Sequence, residues 1–488
     1  MTFVAELEPQ ALWSHFDHLL AIPRASGSEA AARQYVLTVA ARAGCAAASD
    51  AAGNIVVRKP ATPGAEGAPT VILQSHLDMV PEKRSDVVHD FARDPIVPRR
   101  EGDYLYATGT TLGADNGIGV ATMLAMLEAT DVVHPALELL FTLDEERGLK
   151  GAAQLDGKLL TGRTLLNLDS EEDGFLYVGC AGGGDSVLTL AAGAEPVPAG
   201  HVALRMVVHG LKGGHSGMDI VLQRGNAILM LARALRAAAG VAHGAWRVSA
   251  FRGGGARNAI PRDAEAIVTV GADRQEAFVR AVEREFASAA AEHRHADPDA
   301  TIAIAAVPEP PSVLPAIQGD TLLRVLLALP YGVLAMSLDL PGLVETSSNV
   351  AVVQQQDGTT KVVTSQRSSV ASALAATRER VRAVAELAGA GVEQPDAYPG
   401  WQPDMTSPLL ALVQEVHQAE LGSVPEVRAV HAGLECGIIG ERIPGADMLS
   451  FGPQIESPHS PDERVHIPSV ERFDRLLRAT LGRLATAT

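Results

Sequence analysis

Two histidines and five carboxylates of this 488-residue chain share one property: each lies where an apolar run or a helical pattern meets a polar loop. A single histidine or aspartate in such a place is most often a helix cap or a turn residue. Seven of them, spread over several such places, form a pattern that local structure explains poorly. Imidazole nitrogen and carboxylate oxygen are ligands of hard and borderline divalent metals, so the pattern predicts a metal site. The residues are His76, Asp78, Asp115, Glu145, Glu146, Asp169 and His459.

The stretch FTLDEERGLKGA places Asp144, Glu145 and Glu146 side by side directly after an apolar run. Adjacent carboxylates repel one another, which is costly unless a cation compensates. If Glu146 binds a divalent metal, its charge is neutralised, and Glu145 is free to act as a base on metal-bound water. Successive residues of an extended segment point to opposite sides, which allows two separate roles. Asp78, two residues after His76, is placed to accept the second ring N–H of that histidine.

The elements that must position these residues have the pattern of an α/β sheet. The runs TVILQS, LELLFTL, TLLNL and DMLSF are short and almost continuously apolar, and helical patterns such as GIGVATMLAMLEA separate them. Such strands are typical of a sheet with helices on both faces, and ligand sites of these sheets lie beyond the carboxyl ends of the strands. Near the N-terminus, Ser26 and Glu29 predict a capping box before a helix that stops at Gly44.

The middle of the chain has a different character. Residues 187–399 alternate strands with long Ala-rich helices in two rounds, and the second round contains a hairpin that turns at Asp357-Gly358. We therefore predict a mixed central sheet in a catalytic domain formed by residues 1–186 and 400–488. A large α+β domain, 187–399, interrupts it and contains one unit used twice.

Composition excludes several classes of function. The net charge of −18 argues against nucleic acid and anionic membranes as partners. Cys45, Cys180 and Cys436 are too few and too scattered for a disulfide framework or a thiolate metal site. The N-terminal segment has no basic region of a secretion signal, and the most apolar helix is interrupted by Arg233 and Arg236. These features predict a cytoplasmic protein that is not bound to a membrane.

Eight motifs, taken in order, resemble the zinc-dependent family of aminoacylases, carboxypeptidases and dipeptidases that use two co-catalytic metals. Within that family they are most similar to the bacterial dipeptidases that cleave Xaa-His. The resemblance covers almost the whole chain, including the position of the insertion. The motifs are SHLDMV, GTTLGADNGIG, DEERGLKGA, NLDSEEDG, GLKGGHSGMDI, RNAIP, HAGLECG and SPHSPDERV.

The resemblance implies two divalent metal ions, with zinc expected and manganese or cobalt compatible with the same N/O ligands. His76 and Asp169 would hold one ion, and Glu146 and His459 the other. Asp115 would bridge the two ions, with water or hydroxide as the second bridge. In the family the peptide bond after the bridging aspartate is often cis.

The resemblance also implies roles in catalysis and substrate binding. Glu145 would be general base and then proton donor to the departing amine, and Asp78 would support His76. His215 would stabilise the oxyanion when the large domain closes as a lid, although a turn residue among glycines has the same pattern. Arg367 suits a terminal carboxylate, and it equally suits a solvated surface arginine. The substrate-binding candidates are Asn258, Asn349, Arg367, Gly433 and Glu435, while His431 also fits a packed residue at a helix start.

The implied function is a dinuclear metallo-dipeptidase, a cytoplasmic hydrolase acting on small dipeptides with a free amino terminus. Bridging hydroxide would attack the peptide bond, and Xaa-His, including β-alanyl-histidine, would be preferred. In the family, aspartate at the position of Asp169 marks the aminopeptidase and dipeptidase branch, glutamate marks the carboxypeptidase and aminoacylase branch, and a large lid suits a short substrate. An N-acyl-amino-acid deacylase and an inactive metal- or peptide-binding relative are the alternatives. A homodimer is expected.

Overall fold

A computed structural model describes residues 2–356 and 358–486. The chain divides into two compact units: unit 1 is Met1–Gly179, Trp401–Ala429 and Leu434–Thr488, and unit 2 is Cys180–Gly400 and Val430–Gly433. The domain limits 1–186, 187–399 and 400–488 stay predictions, and they do not include the short return of residues 430–433 to unit 2. Within the described ranges, no helix combines the length and the apolar character needed to cross a membrane.

Strands and helices are numbered in chain order. The strands are β1 (Ala46–Ser49), β2 (Ile55–Lys59), β3 (Val71–His76), β4 (Pro98–Glu101), β5 (Tyr104–Ala107), β6 (Leu137–Thr142), β7 (Thr164–Asn167), β8 (Phe175–Cys180), β9 (Gly182–Ala191), β10 (His201–His209), β11 (Gly214–His215), β12 (Trp246–Gly253), β13 (Ala259–Ile260), β14 (Ala264–Gly271), β15 (Thr301–Val307), β16 (Gly332–Met336), β17 (Val344–Gln356), β18 (Thr359–Ser368), β19 (Gly391–Glu393), β20 (Glu426–Val430), β21 (Asp447–Ser450), β22 (Ile455–Glu456) and β23 (Arg464–His466). The α-helices are α1 (Gln10–Leu20), α2 (Ala30–Arg42), α3 (Ala114–Glu128), α4 (Lys150–Ala153), α5 (Ala227–Ala242), α6 (Gln275–Glu292), α7 (Ala316–Ala328), α8 (Ala371–Leu387), α9 (Pro408–Leu421), α10 (Glu435–Arg442) and α11 (Ile467–Ala485).

Unit 1 is built on a mixed sheet whose described strands run in the order β1-β2-β6-β3-β7-β21-β8-β20. Its central strands β6, β3, β7 and β21 pair in parallel. Every residue of β3 and β6 is buried. Because alternate residues of a strand point to opposite faces, both faces of the sheet are covered. The predicted mixed α/β class is confirmed, and the carboxyl ends of β3, β6 and β7 lie at one edge.

Helix α3 begins beside that edge. Gly113 precedes it with φ of 71°, and a Cβ atom there would lie 2.5 Å from Nη2 of Arg24. Glycine is therefore required both by the left-handed backbone and by the close approach of a side chain. Asp115 and Asn116 depart from helical φ/ψ angles, and the peptide bond between them is cis. The regular helix thus starts at Gly117, as the sequence predicts.

The predicted capping box before α2 is wrong. Glu29 itself is the residue that precedes the helix, and it makes no side-chain cap. Its Oε1 accepts hydrogen bonds from the backbone N–H of Gly27 at 2.9 Å and of Asp144 at 3.0 Å. The hydroxyl of Ser26 instead faces the carbonyl oxygen of Met79 at 3.4 Å. A tertiary contact with the loop after β6 therefore replaces the local motif.

Unit 2 is built on a second sheet, in which the described strands follow the order β15-β10-β14-β12-β17-β18-β9-β19, with β16 paired to β17. Both predicted rounds of strands contribute to this one sheet, and their duplication stays a prediction. Asn226 caps the start of helix α5, and its side chain accepts the N–H groups of Ile228 and Leu229. In the predicted hairpin, Gln356 pairs with Thr359, while residue 357 of the Asp357-Gly358 turn lies outside the described residues.

We expect the centre of the unit 1 sheet to limit stability. Leu73 is fully buried in β3 and pairs opposite Leu139 and Leu166 on its two neighbours. The change Leu73→Ala should lower the free energy of unfolding by about 2–5 kcal/mol because it leaves a cavity between packed layers. Denaturant unfolding of the full chain measures this. Leu338→Ala, at a position 96% exposed, is the control, and equal unfolding midpoints for the two variants would contradict the proposed packing.

Candidate metal centre

Five segments of unit 1 carry the predicted metal ligands together with Asp78 and Glu145. Three of them are the loops that follow β3, β6 and β7, so the parallel pairing of these strands brings their ends together. The fourth is the irregular start of α3. The fifth connects β22 to β23, which pair antiparallel, and in it Ser457 and His459 have positive φ angles of 53° and 58°. The ring of His459 reaches Asp115 and Glu146 from this connection.

Asp115 lies at the centre of these residues. Its Oδ1 is 3.0 Å from Nε2 of His76, and its Oδ2 is 3.1 Å from Nε2 of His459. The same nitrogen of His76 lies 3.3 Å from Oδ1 of Asp169, and that of His459 lies 3.0 Å from Oε2 of Glu146. Two groups of three potential ligands thus share one carboxylate, with one oxygen of Asp115 directed to each group.

The chemistry of these residues fits two divalent cations. The side chains of Asp115, Glu146 and Asp169 are only 11%, 6% and 8% exposed. Oε1 of Glu146 is buried and has no hydrogen-bond partner among the described residues. A buried carboxylate oxygen without a partner is destabilising, whereas one dication for each group would neutralise it. The N/O composition agrees with zinc, manganese or cobalt.

Protons compete with cations at this cluster. Hydrogen bonds to Asp115 and then Glu146 raise the pKa of the His459 imidazole to about 11. Burial raises the pKa of Asp169 to about 6, although the nearby His76 opposes this. A metal ligand must be deprotonated, so binding at either group releases protons and is favoured as the pH rises.

Glu145 is the carboxylate most suited to proton transfer. Burial raises the pKa of its carboxyl well above the usual range, His76 opposes this shift, and the neighbouring Asp169, Glu435 and Glu146 add to it. It belongs to a third group of possible ligands with His76 and Glu146. Because the shared Asp115 completes both other groups, Glu145 can remain unligated beside them and hold a proton.

Asp78 supports two of these segments at once. It is fully buried, and its Oδ1 lies 3.3 Å from Nδ1 of His76. Its two oxygens accept the backbone N–H groups of Glu145 at 3.0 Å and Glu146 at 3.2 Å. Burial favours the neutral acid, but hydrogen bonds from His76 and the backbone outweigh it and hold the pKa of Asp78 below its usual value. The contacts of Asp78 with His76 therefore extend to the loop that carries Glu145 and Glu146.

In unit 2, His215 has a defined tautomer. Its Nδ1 accepts the backbone N–H groups of Gly217 at 3.2 Å and Met218 at 3.1 Å. Nε2 must then carry the proton of the neutral ring. Burial and the positive charge of Arg367 lower the pKa of His215, which keeps the ring neutral. The residue can therefore donate a hydrogen bond from Nε2.

The other substrate-binding candidates divide between the two units. Arg367 is only 8% exposed, and its Nη1 donates to the hydroxyl of Tyr398 at 2.9 Å, so a solvated surface arginine is excluded. Asn349 is buried and donates to the carbonyl oxygen of Ala259 at 2.7 Å, whereas Asn258 is exposed. Gly433 is half-buried at the end of the short segment that rejoins unit 2.

Glu435 and His431, close in sequence, lie in different units. Glu435 starts α10 of unit 1 and is 1% exposed, accepting hydrogen bonds from Gln74 at 2.6 Å and from Thr142 at 2.7 Å. Burial raises the pKa of Glu435 to about 8. His431 belongs to unit 2 and shares a 2.7 Å hydrogen bond with Ser347, and burial lowers the pKa of its ring to about 3.

Sequence reasoning missed four buried or half-buried residues around these sites. Glu171 follows Asp169 by two positions, and burial raises the pKa of its carboxyl to about 9. Glu171 lies in the motif NLDSEEDG together with Asp169, and this position in the sequence could have identified it. Arg24 donates to the carbonyl oxygens of Leu77 at 3.1 Å and Asp78 at 3.0 Å, and no sequence pattern marks it. The other two are Tyr398 and Glu463. The hydroxyl of Tyr398 accepts a hydrogen bond from Arg367, and the carboxylate of Glu463 accepts backbone N–H groups just before α3.

The family and the relatives of the chain agree with this geometry. The model of peptidase family M20/M25/M40 matches residues 72–483. The chain belongs to this peptidase family. It is 42% identical to the cytosol non-specific dipeptidase of Escherichia coli strain K12, over 99% of each sequence. The aminoacylhistidine dipeptidase of Vibrio alginolyticus is 40% identical, with a TM-score of 0.93 and coverage of 99% of this chain and 98% of that chain.

A more distant relative shares the fold. Aminopeptidase PepT of Bacillus cereus has a TM-score of 0.59 over 98% of this chain and 100% of that chain, at 16% identity. The family assignment confirms the resemblance read from the motifs and the prediction that the chain is a peptide-bond hydrolase of the M20/M25/M40 family.

The carboxylate of Asp78 provides a test of the metal centre. Asp78→Asn replaces one acceptor oxygen by an NH₂ group that cannot accept the N–H groups of the loop after β6. The affinity for divalent metal should fall by about 10–100-fold, because the ring of His76 loses its orientation and basicity. Competition between the apoprotein and a chelator of known affinity measures this change. An unchanged affinity in a folded variant would contradict the role given to Asp78.

Proposed function

We propose that this member of the M20/M25/M40 family is a metal-dependent dipeptidase that hydrolyses dipeptides with a free amino terminus. The observation that carries the proposal is the division of the Asp115 carboxylate between two histidines, at 3.0 and 3.1 Å, beside the partly buried Glu145. Two ligand groups with a shared bridge and an adjacent unligated base are the parts that metal-assisted hydrolysis needs.

In this proposal His76 and Asp169 would hold one ion, Glu146 and His459 would hold the other, and Asp115 would be shared by both groups. Zinc is the metal we expect, because imidazole and carboxylate ligands suit it. When bound, such a pair of ions lowers the pKa of water and polarises the carbonyl group of the scissile peptide bond.

Glu145 carries the protons of the reaction. Its carboxylate accepts a proton from the attacking water and then donates it to the nitrogen of the departing amine. The raised pKa supports the second step, since the carboxyl holds its proton until the leaving group requires it. Asp78 fixes the backbone of Glu145, which keeps the base in one position.

We assign substrate recognition to the candidates of unit 2 together with Glu435. Arg367 is proposed to receive the terminal carboxylate, because its guanidinium is buried and its Nε has no partner in the described part of the chain. His215 is proposed to donate from Nε2 to the carbonyl oxygen that becomes negative. Asn258, Asn349 and Gly433 are proposed to hydrogen-bond the rest of the short substrate.

The two similar dipeptidases are described differently. The one with 42% identity is called non-specific, and the one with 40% identity is called an aminoacylhistidine dipeptidase. We propose a broad dipeptidase for which Xaa-His substrates, including β-alanyl-histidine, are among the best. A cytoplasmic location follows the Escherichia coli relative, described as a cytosol enzyme. We also propose that the protein forms a homodimer and that the domain 187–399 acts as a lid.

Removing the base tests the mechanism. Glu145→Gln preserves the size of the side chain but cannot accept a proton, so kcat for a dipeptide should fall by about 10²–10⁴-fold. Metal content, measured by elemental analysis of the purified variant, should remain that of the wild type. Glu146→Gln is the matched comparison, because it should lose metal as well as activity. A Glu145→Gln variant with full activity would contradict the role of Glu145 as general base.

The amino terminus of the substrate separates the dipeptidase from a deacylase. The excess of carboxylates in unit 1 favours a positive ammonium group over a neutral acyl group. The value of kcat/KM for Ala-His should therefore exceed that for N-acetyl-Ala-His by at least about 100-fold. A panel of dipeptides with histidine or another second residue measures the preference for Xaa-His. Faster release of acetate from N-acetyl-histidine than of amino acids from dipeptides would instead identify a deacylase.

A further inference from the structure

One buried carboxylate close to the metal centre is not among its candidate ligands. Glu463 is 2% exposed, and its two oxygens accept four consecutive backbone N–H groups. Oε2 accepts those of Leu112 at 2.7 Å and Gly113 at 2.9 Å. Oε1 accepts those of Ala114 at 2.7 Å and Asp115 at 3.3 Å. The carboxylate therefore holds the whole segment that leads into α3.

The position of these donors explains how a charge is held in the interior. The N–H groups of residues 112–115 lie before the regular part of α3, which begins at Gly117, so they need an acceptor other than the carbonyl oxygens of the helix. A carboxylate that accepts several of them is stabilised by charge-assisted hydrogen bonds. Both oxygens of Glu463 therefore have main-chain donors, although burial raises the pKa of its carboxyl to about 7. Glu146 differs, because its Oε1 has no partner among the described residues.

Glu463 also connects two ligand-bearing segments. It lies four residues after His459 in the connection that ends at β23. Through its hydrogen bonds, this connection is attached to the segment that carries Asp115, whose Oδ2 is 3.1 Å from the ring of His459. The distance between the bridging carboxylate and this histidine therefore depends on the position of Glu463.

Arg24 holds the same segment from its carbonyl side. This buried guanidinium donates to the carbonyl oxygen of Gly113 and also to those of Leu77 and Asp78, which follow β3. The segment 112–115 is thus bound through its N–H groups by an anion and through one carbonyl group by a cation. Little freedom remains for the backbone that carries Asp115.

We propose that Glu463 is a positioning residue that fixes the backbone of Asp115 relative to His459, and thereby sets the affinity of the centre for its second metal ion. The inference rests on the proposed dinuclear site. Loss of the carboxylate leaves Asp115 present but free to turn away from one of the two ligand groups. The consequence is weaker binding of one ion, with little change in the binding of substrate.

The test compares Glu463→Gln and Glu463→Asp with Asp462→Asn. The glutamine keeps the length of the side chain but directs an NH₂ group at backbone donors, and the aspartate keeps the charge on a shorter side chain. Asp462 is the matched control because it is the adjacent acid, with a side chain 70% exposed and an ion pair to Arg84 at 2.6 Å. Each apoprotein is titrated with Zn²⁺ against a chelator, and with Co²⁺ while the visible spectrum is recorded.

We expect wild type and Asp462→Asn to bind two ions per chain with the same affinities. Glu463→Gln should bind one of the two ions about 10–100-fold more weakly, and its Co²⁺ spectrum should change. The affinity of Glu463→Asp for this ion should lie between the affinities of the wild type and of Glu463→Gln. In the zinc-loaded enzymes, kcat at limiting metal should fall while KM for Ala-His changes less than twofold.

The outcomes separate the inference from the function on which it rests. If the wild type binds fewer than two ions, the dinuclear function fails, whatever Glu463 does. If the wild type binds two and a folded Glu463→Gln binds both with unchanged affinity and spectrum, the positioning role is overturned, even if its melting temperature is lower. If Glu463→Gln does not fold, the metal affinities of Glu463→Asp are compared with those of the wild type instead. Equal affinities for both ions would then overturn the positioning role.

Discussion

The candidate metal centre of unit 1 depends on the placement of one carboxylate, that of Asp115, between two imidazoles that are far apart in the chain, His76 and His459. The parallel pairing of β3, β6 and β7 supplies His76, Glu146 and Asp169 at one edge of the sheet. The start of α3 and the connection between β22 and β23 supply the remaining two ligands. No single element contains the site, so the catalytic geometry exists only when the whole sheet and both of its flanking connections are formed.

The buried carboxylates of this centre fall into two classes that differ in what compensates their charge. Asp78 and Glu463 accept main-chain N–H groups, which help to hold the pKa of Asp78 below its usual value but only partly offset the burial that raises the pKa of Glu463 to about 7. Glu146 has an oxygen without a partner in the described residues, and burial raises the pKa of Glu145. The first class fixes loops, whereas the second is available to a metal ion or a proton. Rigid support beside reactive groups is what a preorganised site requires.

Much of this centre is predictable from the sequence, because the ligands follow apolar runs whose length and composition indicate strands. The general position of Asp115 before a helix is readable for the same reason. What escapes prediction are residues that act on main-chain atoms. Glu463 binds N–H groups and Arg24 binds carbonyl oxygens, and the sequence gives no sign of which backbone groups a side chain will meet. The capping box failed for a related reason, since the loop at Asp144 offered Glu29 a tertiary partner. The burial of Arg367 is equally a property of the folded unit.

The hydrogen bonds of His215 limit the chemistry that this residue can perform. Its Nδ1 is occupied by two backbone N–H groups, and the neighbouring positive charge of Arg367 opposes protonation of the ring. A neutral imidazole held in this way offers a donor at Nε2 and no free acceptor, so it can stabilise negative charge but cannot remove a proton from water. The carboxyl of Glu145 has the opposite property, a pKa raised by burial, which suits the proton transfer that we propose for it. The surroundings of the two residues, each within its own unit, thus shift their pKa values in opposite directions.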